Sequence, residues 1–405
     1  MKTIQKLFVL VLTTLFFAFG TIDAVMAVNW NKKTKPFPGE GRNNAVSFVI
    51  GNAAYIGTGY AYKNNANIFY KDFWKYDSSA DAWTKIADFP GEARYRSVAF
   101  SSNGKGYVGI GSGNGSSIFK DFYEYNPANN TWSKIADFPD ARYGVVSFSI
   151  NGVGYVGSGY DGTNLKGDFY KYESGSWKAI AALPSGEARM LAAGFSLNGL
   201  GYIAGGGPVP SVFGGFDSMF EYNPQTNVWS RKAYSSRLSS NVILSYVSGG
   251  IPYFSVYNDF FKYNASEEYF EFLGDVFKLD NYFSSETFFV INNVPYMTLG
   301  SFGGFFDTTF NIDLWYDADA VAGTGIHSVQ TETVAFYPNP ASDLVTVQVN
   351  ATGSIEIHTL SGSLVKKQIV SATNNSIDVS SLNKGIYILT IKAAGKSRTF
   401  ELIKK

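Results

Sequence analysis

The residues best suited to chemistry in this sequence are arginines that recur at matched positions. Arg42, Arg94, Arg142 and Arg189 each precede a phenylalanine by six residues, and each follows an acid by two: Glu40, Glu92, Asp140 and Glu187. Forked guanidinium donors gathered around one mouth would hold a carboxylate or sugar hydroxyls. The same pattern also suits a self-neutralising belt that keeps neighbouring elements in register. Arg237 fits the pattern less well, and Phe283 occupies the place in the last copy. The segments expected beside these arginines carry Tyr60, Tyr62, Phe69, Tyr160, Phe213, Phe216, Phe302, Phe305 and Phe306. Aromatics that a loop cannot bury are stacking platforms for sugars or apolar peptide side chains, unless they tuck onto their own strands. The candidate ligand-binding set is therefore Arg42, Arg94, Arg142, Arg189, Arg237, Tyr60, Tyr160 and Phe213.

Other chemistries are closed off. The chain has 405 residues, no cysteine, and histidine only at His327 and His358. Without cysteine there is no thiolate metal site, disulfide or sulfur nucleophile. Both histidines fall outside the segment that holds the arginines, so that segment builds neither an imidazole-assisted nucleophile nor a zinc or copper site of the usual ligands. No cofactor or metal is expected. Carboxylates remain for acid/base work, but no spacing singles out a pair. Asp72, Asp121, Asp168 and Asp259 recur at one position of a repeat, which points to a structural role. The 33 basic residues balance the 33 acidic ones, which argues against a nucleic-acid partner.

The elements that must position these residues are strands. Forty-two glycines and an aromatic content of 17% suit sheets joined by tight turns, so an all-β fold is expected. Residues 1–27 read as a secretory signal: Lys2 and Lys6, an apolar run from Leu7 to Phe19, then Val25 and Ala27 at the spacing of a cleavage site. No other stretch is long and apolar enough for a transmembrane span. Residues 318–334, rich in Ala, Gly, Thr and Ser, read as a linker. The final residues 335–405 carry eight basic and four acidic side chains, leaving about −5 on residues 28–334.

Within that tail, period-two runs separated by Gly, Asn and Ser turns predict a small β-sandwich. Its ordered features are Tyr337-Pro338-Asn339-Pro340, a strand with Gly385 and Tyr387, and the ending Lys404-Lys405. Together they resemble the C-terminal sorting domain of type IX secretion cargo in Bacteroidota. The resemblance implies recognition by the type IX machinery and passage through the periplasm to the cell surface or the medium. An ordinary fibronectin-like accessory module is the alternative.

Residues 28–317 are repetitive. After each leading arginine come a first strand, a turn (Gly51-Asn52, Asn103-Gly104, Asn151-Gly152, Asn198-Gly199), and a second strand ending in glycines. A third strand follows with Tyr76, Tyr125, Tyr172 or Tyr222, and a fourth with Trp83, Trp132, Trp177 or Trp229. The tyrosines recur 49, 47 and 50 residues apart. This is similar to the kelch repeat, which runs to roughly 50 residues. Two degenerate copies follow. The last has no fourth strand, while Trp30 with Phe37-Pro38 supplies an unmatched one at the start. The resemblance thus implies a six-bladed propeller closed by an N-terminal strand.

Three functional readings follow. The first is an exported binding module for a glycan or protein, engaged through the arginine-bearing face. The second is a carbohydrate-active enzyme, since some exported six-bladed kelch propellers are sialic acid mutarotases, although no site motif of that group is matched here. The third is a structural surface component.

Overall fold

In a computed structural model the chain is described over residues 30–208, 215–234, 244–256, 259–275, 283–284, 287–302, 310–318, 335–337, 342–348, 353–359, 362–371, 376–393 and 396–405. The expected signal segment, most of the expected linker, Arg237 and Phe213 lie outside those residues. The chain divides into two compact units, Met1–Gly325 and Ile326–Lys405.

Among the described residues the first unit contains six four-stranded antiparallel sheets; four are built from consecutive strands, and in one more a separate two-stranded hairpin intervenes between the second and third strands. In the first sheet Val46–Ile50, Ala53–Gly57, Phe73–Asp77 and Ala82–Lys85 lie side by side in that order. Four more sheets repeat this meander, with first strands Val98–Ser102, Val146–Ile150, Ala193–Leu197 and Leu244–Ser248. The sixth joins Thr287–Ile291, Val294–Thr298 and Trp315–Asp317 to Trp30–Lys32, with Trp30 opposite Asp317 and Lys32 opposite Trp315. First strands of successive sheets lie against one another, and Thr287–Ile291 lies against both Leu244–Ser248 and Val46–Ile50.

No single sheet covers its own faces, so aromatic side chains fill the space between sheets. On each first strand a ring stacks on the tyrosine opposite it on the second. Phe48 meets Tyr55 at 5.0 Å and 6°, Phe195 meets Tyr202 at 4.9 Å and 5°, and Phe289 meets Tyr296 at 5.3 Å and 5°. Four of the second-strand tyrosines also meet a third-strand tyrosine of a neighbouring sheet: Tyr55 with Tyr125, Tyr107 with Tyr172, Tyr155 with Tyr222, and Tyr296 with Tyr76. The fourth-strand tryptophans donate Nε1 to main-chain carbonyls outside their own sheet, Trp132 to Ala87 at 3.0 Å and Trp229 to Ala181 at 2.9 Å. Turn residues add a polar stitch. Asn130 Oδ1 accepts from the Ala87 N–H and the Tyr125 hydroxyl, and Asn227 Oδ1 does the same for Ala181 and Tyr222.

Some second-strand glycines answer the same packing need. A Cβ on Gly106, Gly154 or Gly201 would overlap the ring of Phe48, Phe100 or Phe148 from the preceding sheet. Glycine there makes room for a ring and is not serving a turn.

The second unit packs two sheets on one core. Ala335–Tyr337, Leu344–Gln348 and Ser376–Asp378 form one sheet; Leu364–Val370, Gly353–Thr359, Gly385–Ala393 and Lys396–Lys404 form the other. Val345, Val347 and Ile377 from the first meet Ile355, Ile357, Leu389, Ile391 and Leu402 from the second. This is the expected sandwich, and Tyr387 lies in its core with its hydroxyl donating to the Asn383 carbonyl at 2.9 Å.

Filling one of these ring slots should be costly. Gly154→Ala is expected to destabilise the protein by about 1–3 kcal/mol through overpacking against Phe100. Gly175→Ala adds a Cβ to open space at φ +79° and tests the backbone cost alone. Urea unfolding of the two variants checks the difference, and equal losses would rule out the ring-slot explanation.

Candidate functional site

The four leading arginines are not a cup open to ligand. Arg42, Arg94, Arg142 and Arg189 are 0% exposed. In three of them the guanidinium grips an aspartate at the start of the third strand with both terminal nitrogens: Arg42 with Asp72 at 2.5 and 3.0 Å, Arg94 with Asp121 at 2.6 and 2.9 Å, Arg142 with Asp168 at 2.8 and 3.0 Å. One of those nitrogens also donates to a carbonyl at the end of the second strand, Thr58, Ile110 or Ser158. Nε donates to the carbonyls of Glu40 and Glu92 in the first two, and to the Asp140 carboxylate in the third. Aromatic faces complete the enclosure, with Tyr70 at 4.0 Å from the Arg42 guanidinium carbon and Phe119 at 4.2 Å from that of Arg94. Four of the five N–H groups are answered inside the protein in Arg42 and Arg94 and all five in Arg142, and with the side chains fully buried none is presented to a ligand. The belt reading is the better description, with a change of partner: the principal carboxylate comes from the third strand. The acids two residues earlier contribute side chains only at Asp140 and Glu187.

Electrostatics agree with clamps of this kind. Burial pushes the Asp72 and Asp168 carboxyls up, but hydrogen bonds and charge from Arg42 and Arg142 outweigh it and hold both below their usual 3.8. The fourth copy differs. Ser218 stands where the others have aspartate, and Arg189 donates to its hydroxyl at 3.0 Å and to Glu187, which Arg231 also pairs with. Burial outweighs this thinner compensation and pulls the Arg189 guanidinium down to about 10.

The chain just beyond each clamp forms a collar. Arg96 accepts a backbone hydrogen bond from Gly144 at 3.3 Å, and Gly144 accepts one from Leu191 at 2.8 Å. Asn44, Arg96, Gly144 and Leu191 occupy equivalent places and all have positive φ, 52°, 49°, 63° and 55°. Around Arg96 stand half-buried tyrosines. Its guanidinium carbon lies 5.4 Å from the Tyr95 ring and 5.9 Å from the Tyr143 ring. Tyr60 stacks obliquely on Tyr95 at 4.8 Å, Phe69 lies 5.6 Å from Tyr95, and Tyr160 meets Tyr143 edge-on at 5.8 Å. Burial raises the Tyr60 and Tyr143 phenols above 10 against the opposing charge of Arg96, so they remain hydrogen-bond donors. The structure thus brings Tyr60 and Tyr160 to one cluster and leaves the four arginines beneath it. Tyr62 is half-buried on the hairpin Tyr60–Lys63 and Ala66–Phe69, and Phe216 covers Arg189 at 4.2 Å. Arg96, Tyr95 and Tyr143 were not selected from the sequence. The available signal was the odd member of a repeated position: an arginine where the other copies carry Asn, Gly and Leu.

No group of metal-ligating side chains occurs among the described residues. In the sorting tail, Tyr337 ends a strand, Gly385 begins one at φ 156°, and Lys404-Lys405 end the chain half-buried and exposed; Pro338, Asn339 and Pro340 lie outside the described residues. Two outcomes follow from the clamps. Arg94→Ala, which strips Asp121 of its partner, should cost about 3–5 kcal/mol in urea unfolding, and Arg94→Leu with Asp121→Leu should recover much of it. Carboxyl values held below the unfolded one stabilise the fold above the unfolded pKa, and that contribution is lost as pH falls through the folded values. Melting temperature should therefore hold at pH 5 and drop below about pH 4.

Comparison with known proteins agrees with the two-part chain. Residues 335–405 match the family described as the secretion system C-terminal sorting domain. No curated protein matches the chain. A solved structure titled "Structure of YjhT" superposes with a TM-score of 0.57, covering 72% of this chain and 96% of that one at 18% identity. At that identity the likeness concerns the fold alone, and it accords with a propeller-like arrangement of four-stranded sheets. No helix among the described residues is long and apolar enough to cross a membrane. The C-terminal unit is a sorting domain that interacts with the type IX secretion machinery, and the chain is exported by that route to the cell surface or the medium.

Proposed function

We propose that this chain is an exported binding protein whose first unit is a six-bladed kelch-type propeller, made with an N-terminal signal and delivered by its C-terminal domain. Several observations support the six-bladed reading. There are six repeats of one sheet plan, Trp30–Lys32 pairs with Trp315–Asp317, and Tyr296 of the last sheet meets Tyr76 of the first. The Gly300 N–H donates to the Arg42 carbonyl at 3.0 Å, as Gly111 does to Arg142 and Gly159 to Arg189. An N-terminal strand that completes the last blade would join the two ends of the ring without a free edge.

The single observation that carries a binding role is the tyrosine cluster of Tyr60, Tyr95, Tyr143 and Tyr160. These rings are half-buried, burial raises the Tyr60 and Tyr143 phenols above their ordinary value, and all four face the side on which the loops between second and third strands emerge. Such rings offer large, stiff contact area to a glycan or to a protein side chain at small entropic cost. A carbohydrate-active enzyme working on the same face is the second reading, favoured by the one arginine among the tyrosines.

The mature protein is expected to retain a ligand from a panel of immobilised polysaccharides and surface proteins. Tyr60→Ala with Tyr160→Ala should weaken that retention about tenfold or more while leaving the melting temperature nearly unchanged. Retention equal to the parent would place binding elsewhere. NMR anomer exchange with sugar acids separates the readings, since acceleration over buffer occurs only if the protein is an enzyme.

A further inference from the structure

The hairpin between the second and third strands of the first sheet, Tyr60–Lys63 and Ala66–Phe69, leaves one strand edge open. Asn64 and Asn65 make its two-residue turn at φ 52° and 61°, and the register sets Tyr60 opposite Phe69 and Lys63 opposite Ala66. In an antiparallel pair only alternate opposite residues exchange hydrogen bonds. Tyr60 donates its N–H to the Asn43 carbonyl at 3.0 Å and accepts from the Asn43 N–H at 2.8 Å, so its main chain gives nothing to Phe69. The bonds inside the hairpin therefore fall on Ala61 with Ile68 and on Lys63 with Ala66. The main-chain N–H and C=O of Asn67 and of Phe69 point the other way and meet no partner among the described residues.

This edge is also unguarded. A strand with unpaired N–H and C=O groups is a template for pairing, and proteins blunt it with charge, proline or a bulge. The outer strands of the first four sheets carry Lys85, Lys134, Lys178 and Lys232, and that of the fifth carries Glu271. Ala66-Asn67-Ile68-Phe69 has no charge, proline or bulge, and Ile68 is 38% exposed. The edge adjoins the tyrosine cluster. Phe69 and Tyr60 share one face of the hairpin, 6.3 Å apart, and both meet Tyr95.

We infer that this edge takes an extended segment of a partner protein as an added strand, which names polypeptide as the ligand class of the binding role proposed above and rests on it. Hydrogen-bond complementarity selects the occupant. Two N–H and C=O pairs on residues about 7 Å apart are matched in order and spacing by another extended main chain, whereas sugar hydroxyls have no such fixed alternation. The residue opposite Phe69 would project onto the face that holds Phe69, Tyr60 and Tyr95, so an apolar or aromatic side chain fits there. The main chain supplies affinity, and that position supplies selectivity.

The test pans a phage-displayed library of random linear peptides against the mature full chain, and the retained peptides are synthesised and their binding read by calorimetry. Methylating the peptide main-chain nitrogens one at a time should weaken binding about tenfold or more at alternate positions and little between them, because only every second N–H faces the edge. Asn67→Pro removes an outward N–H that the hairpin itself does not use, so it should lose peptide affinity by a similar factor with little change in melting temperature. The methylation series reads the same contact with the protein unaltered. Peptides bound without the alternation, or bound equally by Asn67→Pro, would overturn strand addition while leaving a protein-binding face in place. A polysaccharide bound with no peptide retained would overturn the polypeptide and leave the binding role standing. A dimer of the parent that Asn67→Pro dissolves would make the occupant a second copy and overturn the partner, and no ligand of either kind would overturn both readings.

Discussion

A guanidinium that has surrendered all its water must have its N–H groups answered, and that requirement organises the first unit. Arg42 shows how much is specified by one such residue. Its donors meet the carbonyl of Glu40 just before it, the carbonyl of Thr58 at the end of the second strand, and the carboxylate of Asp72 at the start of the third. Three chain segments far apart in sequence are thereby tied at one point. An incorrect strand register would leave a buried charge unpaired, a penalty of several kcal/mol per ion. The clamp therefore acts through specificity of arrangement, and repetition of it three times at matched geometry keeps the sheets alike.

Between the clamps the sheets are joined by aromatic area. Each sheet presents rings on one side and ring slots on the other, so a stacked Phe and Tyr pair on one sheet meets a tyrosine, a tryptophan and in places a glycine of its neighbour. This explains a composition unusually rich in both Gly and aromatics. The two residue types are complementary halves of one interface, large side chain and absent side chain.

Repetition also makes the exceptions visible. Where every copy has the same residue, the residue serves the fold; where one copy departs, something local decides. Ser218 replaces the clamping aspartate and leaves Arg189 less well compensated. Arg96 places a charge on a collar whose other members carry none. The arginines chosen from the sequence were the regular ones, and regularity was the reason to choose them. Their burial turns that reasoning around, because a feature present in every copy belongs to the scaffold. Tyr60 and Tyr160 were found by a different rule, aromatics in loops, and they do reach the surface.

The sequence by itself determined the all-β class, the strand and turn plan of the clear repeats, and the tail with its sorting features. These are written in local patterns: alternation of period two, Asn-Gly turns, and motifs in a fixed order. It also determined that residues 28–317 hold neither histidine nor cysteine. Only the tertiary structure decided what each arginine touches. Whether a guanidinium faces water or an aspartate some 26 to 30 residues along the chain depends on how strands fold back on each other, and spacing along the chain does not contain it. The same holds for Arg96, whose tyrosine neighbours come from three loops that meet only when successive sheets pack side by side.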